Sequence, residues 1–308
     1  MLANYLKIAI RQLLRNKVFS TINMVGMAIG LACCLIITLF IVNELQYDQF
    51  HTKRDRIFRL ISTFKDPSAS TLAVTPAPWA PLIASEFPAV ESAVRMLKDT
   101  RTLIGLEGDQ RFYEQNVFFS DPAFFSVFDF PLTQGNADKA LTETNTAVLT
   151  KSMAEKYFRN EDPIGKTLQI TSSFGNELPI VITGVTNDPP EESHFHFSIL
   201  ISIATLGDIS NFWSYHMFQS YVLLREGQQP SDLEKLFPAF AEKYINHNAQ
   251  ADGAVSMFLQ PLTGIHLHSN LVGEVETNGS ITYVYILSGI ALCILVLACF
   301  NFVNLSTV

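Results

Sequence analysis

Two histidine pairs, His194-x-His196 and His266-x-His268, are the residues whose type and spacing first suggest chemistry. On a strand, such spacing puts both rings on one face, where imidazole nitrogens could hold a zinc ion. No cysteine is available to complete a site and no acid sits at a telling spacing, so the expectation is loop or surface histidines and no metal. Gly165-Lys166-Thr167 invites comparison with a phosphate-binding loop. That loop needs a glycine separated by four residues from Gly-Lys-Thr, so that bare backbone can wrap the phosphates. Here Asn160 holds that position and Pro163 interrupts the run, so the segment reads as a turn into a strand. No serine lies in a Gly-x-Ser-x-Gly turn. The residues therefore point to no catalytic group, no cofactor and no metal.

The elements that must position these residues are bracketed by two apolar stretches. No charge occurs from Val18 to Asn43, nor from Thr277 to Val308. Each exceeds the roughly 20 apolar residues a helix needs to cross a bilayer core of about 30 Å. The first run, 26 residues long, is too long for a signal-peptide core of about 7–15 and no clean small-residue cleavage site follows, so it reads as an uncleaved anchor. The overall 48% hydrophobic and 16% charged composition thus hides a segregation: two spans and an ordinary water-soluble middle.

Charge is segregated too. Lys7, Arg11, Arg15 and Lys17 precede the first span with no acid among them. The rest of the chain sets 17 basic residues against 29 acids, a net charge of −12. That balance argues against a nucleic-acid partner. Short basic flanks stay in the cytoplasm, whereas long loops cross largely regardless of charge. The expectation is a cytoplasmic N-terminus and an extracytoplasmic domain. All four cysteines, Cys33, Cys34, Cys293 and Cys299, fall in the spans, so that domain folds without disulfides.

Before the first span, Leu2, Leu6, Ala9, Ile10 and Leu13 alternate with a basic row, the pattern of a helix lying in the cytoplasmic interface. Gly26 and Gly30 form a small-xxx-small match suited to close packing against another span. In the middle, strands are expected at 57–64, 90–98, 102–106, 111–119, 147–149, 167–171, 180–185, 195–203, 219–224 and 255–261. Helices are expected at 75–87, 121–128 with Asp121 as cap, 151–158, and 231–246 with Ser231 and Glu234 forming a capping box. The fold class is a membrane protein with two transmembrane helices flanking an α+β extracytoplasmic domain. Its domains are a cytoplasmic amphipathic helix (1–17), a first span (18–43), the exported domain (44–280) and a second span (281–308). Within the domain, residues 44–100 and 216–280 are expected to form a membrane-proximal lobe and 101–215 an inserted distal lobe.

Several phrases, in order, resemble one family. They are Asn4-Tyr5-Leu6-Lys7 with Arg15-Asn16-Lys17; Glu44-Leu45 with Tyr47-Asp48-Gln49-Phe50-His51; and Asp55-Arg56-Ile57-Phe58-Arg59. Then come Asp121-Pro122 with Phe124-Phe125-Ser126-Val127-Phe128, Ala154-Glu155-Lys156-Tyr157-Phe158, Pro163-Ile164-Gly165-Lys166, Thr183-Gly184-Val185, and Asn301-Phe302-Val303-Asn304-Leu305-Ser306-Thr307. The chain resembles the permease subunits of MacB/FtsX-type ABC transporters over nearly all its length. The resemblance implies a porter-like membrane-proximal lobe with an inserted distal lobe, in the cell inner membrane. It also implies a second permease copy, a separate cytoplasmic ABC ATPase subunit that hydrolyses ATP, and a periplasmic adaptor or cargo. The work implied is export, extraction or regulation of an extracytoplasmic substrate. Family members continue beyond a second span, so the chain reads as a fragment truncated there. Rival readings with the same topology are a two-span sensor and a membrane-tethered enzyme.

Just outside the first span, Asp48, His51, Lys53, Arg54, Asp55 and Arg56 make a polar junction that could couple span to domain. The expectation is that Asp48 or Asp55 pairs with one of these neighbouring bases.

Overall fold

With no charge to solvate, the stretch from Val18 to Asn43 winds into one helix, α1 (Lys17–Leu45). The computed structural model describes residues 11, 17–64, 70–106, 108, 111–159, 161–173, 175, 177–246 and 255–307. They fall into two units, 1–46 with 279–308, and Tyr47–Asn278. The expected interfacial helix at 1–17 lies almost wholly outside the described residues.

In chain order the second unit runs β1 (Ile57–Phe64), α2 (Trp79–Glu86), β2 (Val90–Asp99), β3 (Thr102–Gly105), β4 (Phe112–Glu114) and β5 (Val117–Ser120). It continues with α3 (Phe124–Val127), β6 (Leu132–Gly135), β7 (Thr146–Thr150), α4 (Lys151–Phe158), β8 (Thr167–Thr171), β9 (Glu177–Thr186) and β10 (Ile199–Ser202). Last come β11 (Gln219–Leu224), α5 (Pro230–Glu234), α6 (Phe237–Tyr244), β12 (Val255–Pro261) and α7 (Ile265–His268). The first unit closes with α8 (Ile281–Thr307).

The apolar parts of α1 and α8, Ser20–Leu45 and Ile281–Val303, hold 26 and 23 residues. At 1.5 Å per residue they reach about 39 and about 35 Å, enough for a hydrocarbon core of about 30 Å. They pack antiparallel: Gly26 lies beside Asn301, Gly30 beside Ala298 and Ile294, and the Cys34 thiol points to the Ala291 carbonyl at 3.4 Å. A Cβ on Gly26 would meet Asn301 Nδ2 at 3.1 Å. Small residues let two backbones approach where no hydrophobic force drives helices together in lipid. Gly30→Leu is therefore expected to separate the pair, and an engineered cysteine pair at facing positions should lose most of its cross-linking yield.

The strands form one sheet in the order β12-β1-β11-β2-β5-β10-β7-β9-β8-β3-β4, with β6 alongside β9. Strands from 57–99 and 219–261 fill one end of the row, and strands from 102–202 fill the rest. β10 runs parallel to β5 and β7 parallel to β9; the other pairings are antiparallel. Alternation along β1 explains how both faces are used. Phe58 and Leu60 pack with Trp79, Ile83, Phe237 and Phe240, under α2 and α6. Ile57 faces the other way, into a cluster of Phe118, Phe124, Phe128, Phe195 and Tyr221. A third cluster, with Ile104, Leu149, Phe158, Ile182 and Ile199, lies under α4.

Several elements differ from expectation. The helix expected from Thr75 starts at Trp79, because Thr75 bridges to Phe218. The strand expected at 111–119 breaks in two at Asn116, whose φ is 61°. The helix expected at 121–128 shrinks to Phe124–Val127, and Asp121 does not cap it: its carboxylate is taken by the Arg95 amide and guanidinium at 2.8–2.9 Å. Residues 195–203 contribute only Ile199–Ser202 to the sheet. The helix expected at 231–246 is two helices without a capping box, since the Glu234 carboxylate accepts from the Leu259 amide at 2.8 Å. That bond caps an outward N–H on β12, an edge strand otherwise open to pairing.

Gly135 on β6 has φ 93°, and a Cβ there would meet the Thr183 carbonyl oxygen at 2.3 Å. Gly135→Ala combines a left-handed backbone with a backbone clash, so a loss of about 2–3 kcal/mol is expected. A thermal melt of the full chain would read it.

Candidate functional site

The site begins where the chain enters the second unit. Tyr47 stacks on His266 with ring centroids 3.3 Å apart. Asp48 follows in a left-handed turn, φ 59°, a conformation Asp tolerates better than most residues. Its amide donates to the Glu192 carbonyl at 2.7 Å. Its side chain, 0% exposed, turns inward to His194. Asp48 Oδ1 accepts from the His194 amide at 3.2 Å and lies 2.8 Å from His194 Nδ1. His194 Nε2 lies 2.8 Å from the Tyr221 hydroxyl. Since a carboxylate only accepts, Nδ1–H donates to Asp48, and the Tyr221 hydroxyl, which can both give and take a hydrogen bond, satisfies Nε2. Burial pushes the Tyr221 phenol far up, so it stays protonated and able to donate.

The rest of this inlet turn is fastened as well. The Asp129 amide donates to His51 Nδ1 at 3.0 Å. The Thr52 amide and hydroxyl both donate to the Asp129 carboxylate. Lys53 Nζ reaches the Ser126 carbonyl at 2.6 Å. After a 3-10 turn at Arg54–Arg56, Arg56 binds Glu91 at 2.8 Å and the Leu224 carbonyl at 2.9 Å.

Where the chain leaves the unit, a second set of ties appears. The Arg59 guanidinium, 0% exposed, forks onto Glu274 at 2.5 and 2.9 Å. It also donates to Gln260 Oε1 at 2.7 Å and to the Ser269 hydroxyl at 3.0 Å. Burial alone would push the Glu274 carboxyl up, but the Arg59 hydrogen bonds and charge outweigh it and hold the group below its ordinary range. Two residues on, Glu276 accepts from the His196 amide at 2.7 Å and faces His196 Nδ1 at 2.9 Å.

The two sets meet. Arg59 on β1 and Tyr221 on β11 are register partners across the sheet. The inlet tie, Asp48 to His194 to Tyr221, and the outlet tie, Glu274 to Arg59, therefore end on one buried cross-strand pair. This Asp-His-Tyr chain orients its groups as a proton relay would, but Asp48, His194 and Tyr221 are all buried and no nucleophile is part of it. What it can do chemically is hold: each buried polar group is costly to strip of its partner.

His51 is fully buried. Burial drives its pKa down from 6.5 to about 4, against the raising charges of Asp48 and Asp129. Because the folded value is the lower one, the unfolded chain binds the extra proton between those two limits. Stability is complete above 6.5 and falls by about 3 kcal/mol as pH drops toward 4. His51→Gln should flatten that acid slope, measured by denaturant melts across this range.

Of the expected pairing of Asp48 or Asp55 with a nearby base, only the Asp55 half is seen, and weakly; Asp48 looks elsewhere. Asp48 binds His194, which is 146 positions away. Asp55 approaches Arg54 at 3.9 Å with its side chain 86% exposed, a contact worth little. Arg54 also donates to the Gln49 carbonyl at 2.8 Å. Of the expected loop or surface histidines, His194 and His196 do lie in the loop before β10, but His194 and His266 are buried, because Asp48 and Tyr47 engage them. His194 and His196 serve different carboxylates, and no cluster of three metal-ligating side chains occurs among the described residues. Gly165 and Lys166 line a groove of about 840 Å³ with Phe112, Lys156, Tyr157 and Arg159. There Lys166 pairs with Glu161 and Lys156 with Glu114. The residues that sequence reasoning missed are Arg59, Tyr221, Glu274 and Glu276. The available signal was a lone arginine in the apolar run Ile57-Phe58-Arg59-Leu60-Ile61, a charge that a two-faced buried strand must pair.

Comparison with known proteins fits this fold. The family model described as the MacB-like periplasmic core domain matches residues 20–239. A domain of a protein described as a permease, from Porphyromonas gingivalis, superposes with a TM-score of 0.60 at 24% identity, covering 74% of this chain and 100% of that one. The periplasmic region of MacB from Actinobacillus actinomycetemcomitans gives a TM-score of 0.44 at 16% identity, covering 66% of this chain and 88% of that one. The extracellular domain of the noncanonic ABC-type transporter YknZ from Gram-positive bacteria gives 0.44 at 13%, covering 66% and 99%. Among curated proteins, none matches. The matched family model spans most of the chain, including the strands that carry Arg59 and Tyr221, and two apolar helices flank the domain; the chain is a membrane protein belonging to the MacB/FtsX-type permease family, with a MacB-like periplasmic core domain.

Proposed function

We propose that this chain transmits the conformational change of a separate cytoplasmic ABC ATPase to its extracytoplasmic domain, for export, extraction or regulation of an extracytoplasmic substrate. In this reading the protein sits in the inner membrane with its N-terminus in the cytoplasm. Two permease copies pair, and a periplasmic adaptor or cargo meets the domain. Residues 44–100 with 216–280 form the membrane-proximal lobe and 101–215 the distal one. The basic flank at Lys7, Arg11, Arg15 and Lys17 supports the orientation.

The observation that carries the reading is the convergence of the inlet and outlet ties on Arg59 and Tyr221. A domain that merely hung between two spans would need no buried charge at its ends. A domain that must be pushed or pulled needs its ends fixed to its sheet, so that displacement is not lost in slack loops. Asp48 and Arg56 are the coupling residues best anchored for that role, with His51 locking the turn; Arg54 and Asp55 are peripheral.

The test is co-expression with an ABC ATPase subunit from the same organism. The reading expects a stable complex whose ATP hydrolysis changes when the chain is present. It also expects that a membrane-impermeant maleimide labels Tyr113→Cys, on exposed β4, from outside the cell. Labelling only from the cytoplasmic side, or an ATPase that neither binds nor responds, would overturn it.

A further inference from the structure

We propose that His196 and Glu276 form a proton-operated clasp, which holds the outlet segment against the loop preceding β10 in mildly acidic medium and loosens as the medium becomes alkaline. The inference deepens the proposed function, because that segment is where the domain hands the chain on toward α8.

The argument starts from donors and acceptors. His196 Nδ1 faces the Glu276 carboxylate at 2.9 Å, and Nε2 faces the Pro190 carbonyl at 3.0 Å. Both partners only accept. A neutral imidazole carries one N–H and can serve one of them; the other nitrogen would then turn a lone pair toward an oxygen lone pair. The ring satisfies both contacts only as the imidazolium. His51 and His194 differ. His51 Nδ1 accepts from an amide, which fixes that ring as neutral, and His194 has a hydroxyl that can donate to it. His196 is also the accessible one, with its side chain 33% exposed against 1% for His194. Protons can therefore reach it.

The surrounding charges agree. The Glu276 hydrogen bond raises the His196 pKa above 6.5, burial opposes, and the charges of Glu276 and, from the inlet turn, Asp48 add to the rise. Lys98, on β2, acts on Glu276 and donates to the Val275 carbonyl at 3.4 Å. Burial would push Glu276 up, but the His196 contacts hold it below 4.5. With the His196 value raised on folding, the clasp contributes fully below 6.5 and is lost as pH climbs through the raised value. With the Glu276 value depressed, the clasp survives acid until pH falls through that lowered value. It is closed between these limits. The acid loss arising from His51 runs in the opposite direction, so the two are separable by pH.

Hydrogen exchange on the full chain in detergent micelles tests this, with rates corrected for intrinsic pH dependence. Peptides covering 190–198 and 270–278 should lose roughly fivefold protection between pH 5.5 and 8.5, the scale of one charged hydrogen bond discounted for partial exposure. Peptides from β7 and β9 should not change. His196→Gln and Glu276→Gln should each remove the pH dependence of the two peptides. Protection in the wild-type chain that is flat with pH, or a pH response that persists in Glu276→Gln, would overturn the clasp. The readout needs no ATPase. Failure here leaves the permease reading standing, and failure to bind an ATPase leaves the clasp standing.

Discussion

Asp48→Ala is expected to destabilise the domain by about 3–5 kcal/mol, because it strips a buried carboxylate and leaves two donors, the His194 amide and ring N–H, unmet at about 1–3 kcal/mol each. Asp48 and His194 are both nearly inaccessible, with side chains 0% and 1% exposed, so water cannot replace the lost contact. The backbone adds to the effect, since alanine tolerates the φ of 59° less well than aspartate. Asp48→Asn separates the two contributions. Asparagine accepts the left-handed turn and can still take the His194 N–H at Oδ1, so a loss of only about 1–2 kcal/mol is expected. Denaturant unfolding followed by tryptophan fluorescence reads both. Trp79 and Trp213 are the two tryptophans and both lie in the domain, so the signal is blind to the helices. Equal losses for the two variants would mean that the carboxylate's charge, not its shape, carries the tie.

Arg59→Ala should be comparably damaging, at about 3–5 kcal/mol, for a complementary reason. The guanidinium satisfies Glu274, Gln260 and Ser269 together inside the sheet, and its removal leaves Glu274 without its main counter-charge. Freed of Arg59, the Glu274 carboxyl should rise as burial dictates. In the wild-type chain that group is depressed on folding, so its contribution is present above 4.5 and lost as pH falls through its lowered value. Arg59→Ala should lose this acid dependence along with the stability. Arg59→Lys retains the charge but not the planar fork, so partial loss is expected. Exposed Asp55→Ala provides the contrast, with a change within about 0.5 kcal/mol.

What was legible in the sequence was local. The boundaries of β1, α4, β8, β11 and β12 were readable, because two-residue alternation and short apolar runs flanked by turn residues act within a few positions. The two apolar helices were readable because uncharged length alone marks them. Asp48, His51 and Arg56 stood out in the sequence as polar residues just after the first span, but the partners that hold them did not. Asp48 was matched to bases a few positions away, whereas its partner stands 146 positions on. Glu274 stands 215 positions from Arg59. Pairings at that range are set by the order of strands in the sheet, which no local pattern reports. The same cause hid the break between α5 and α6. Glu234 looked like a capping residue in its own segment, but the unpaired edge of β12 claimed it. His194 and His266 looked like surface residues because histidine is polar, and burial was decided by Asp48 and Tyr47 arriving from the far end of the domain.

The central claim is that motion reaches the domain through a buried clasp of its two ends. It is tested most directly by electron–electron distance measurements in the assembled transporter, on a cysteine-free background with a spin label at exposed Ser210 in each of two permease copies. The account predicts that the label-to-label distance shifts between the nucleotide-free and ATP-bound states. It further predicts that Asp48→Asn, folded but with a weakened tie, shows a smaller or broader shift while ATP still binds. A distance distribution that ignores nucleotide, or a full shift in Asp48→Asn and Arg59→Lys alike, would contradict it.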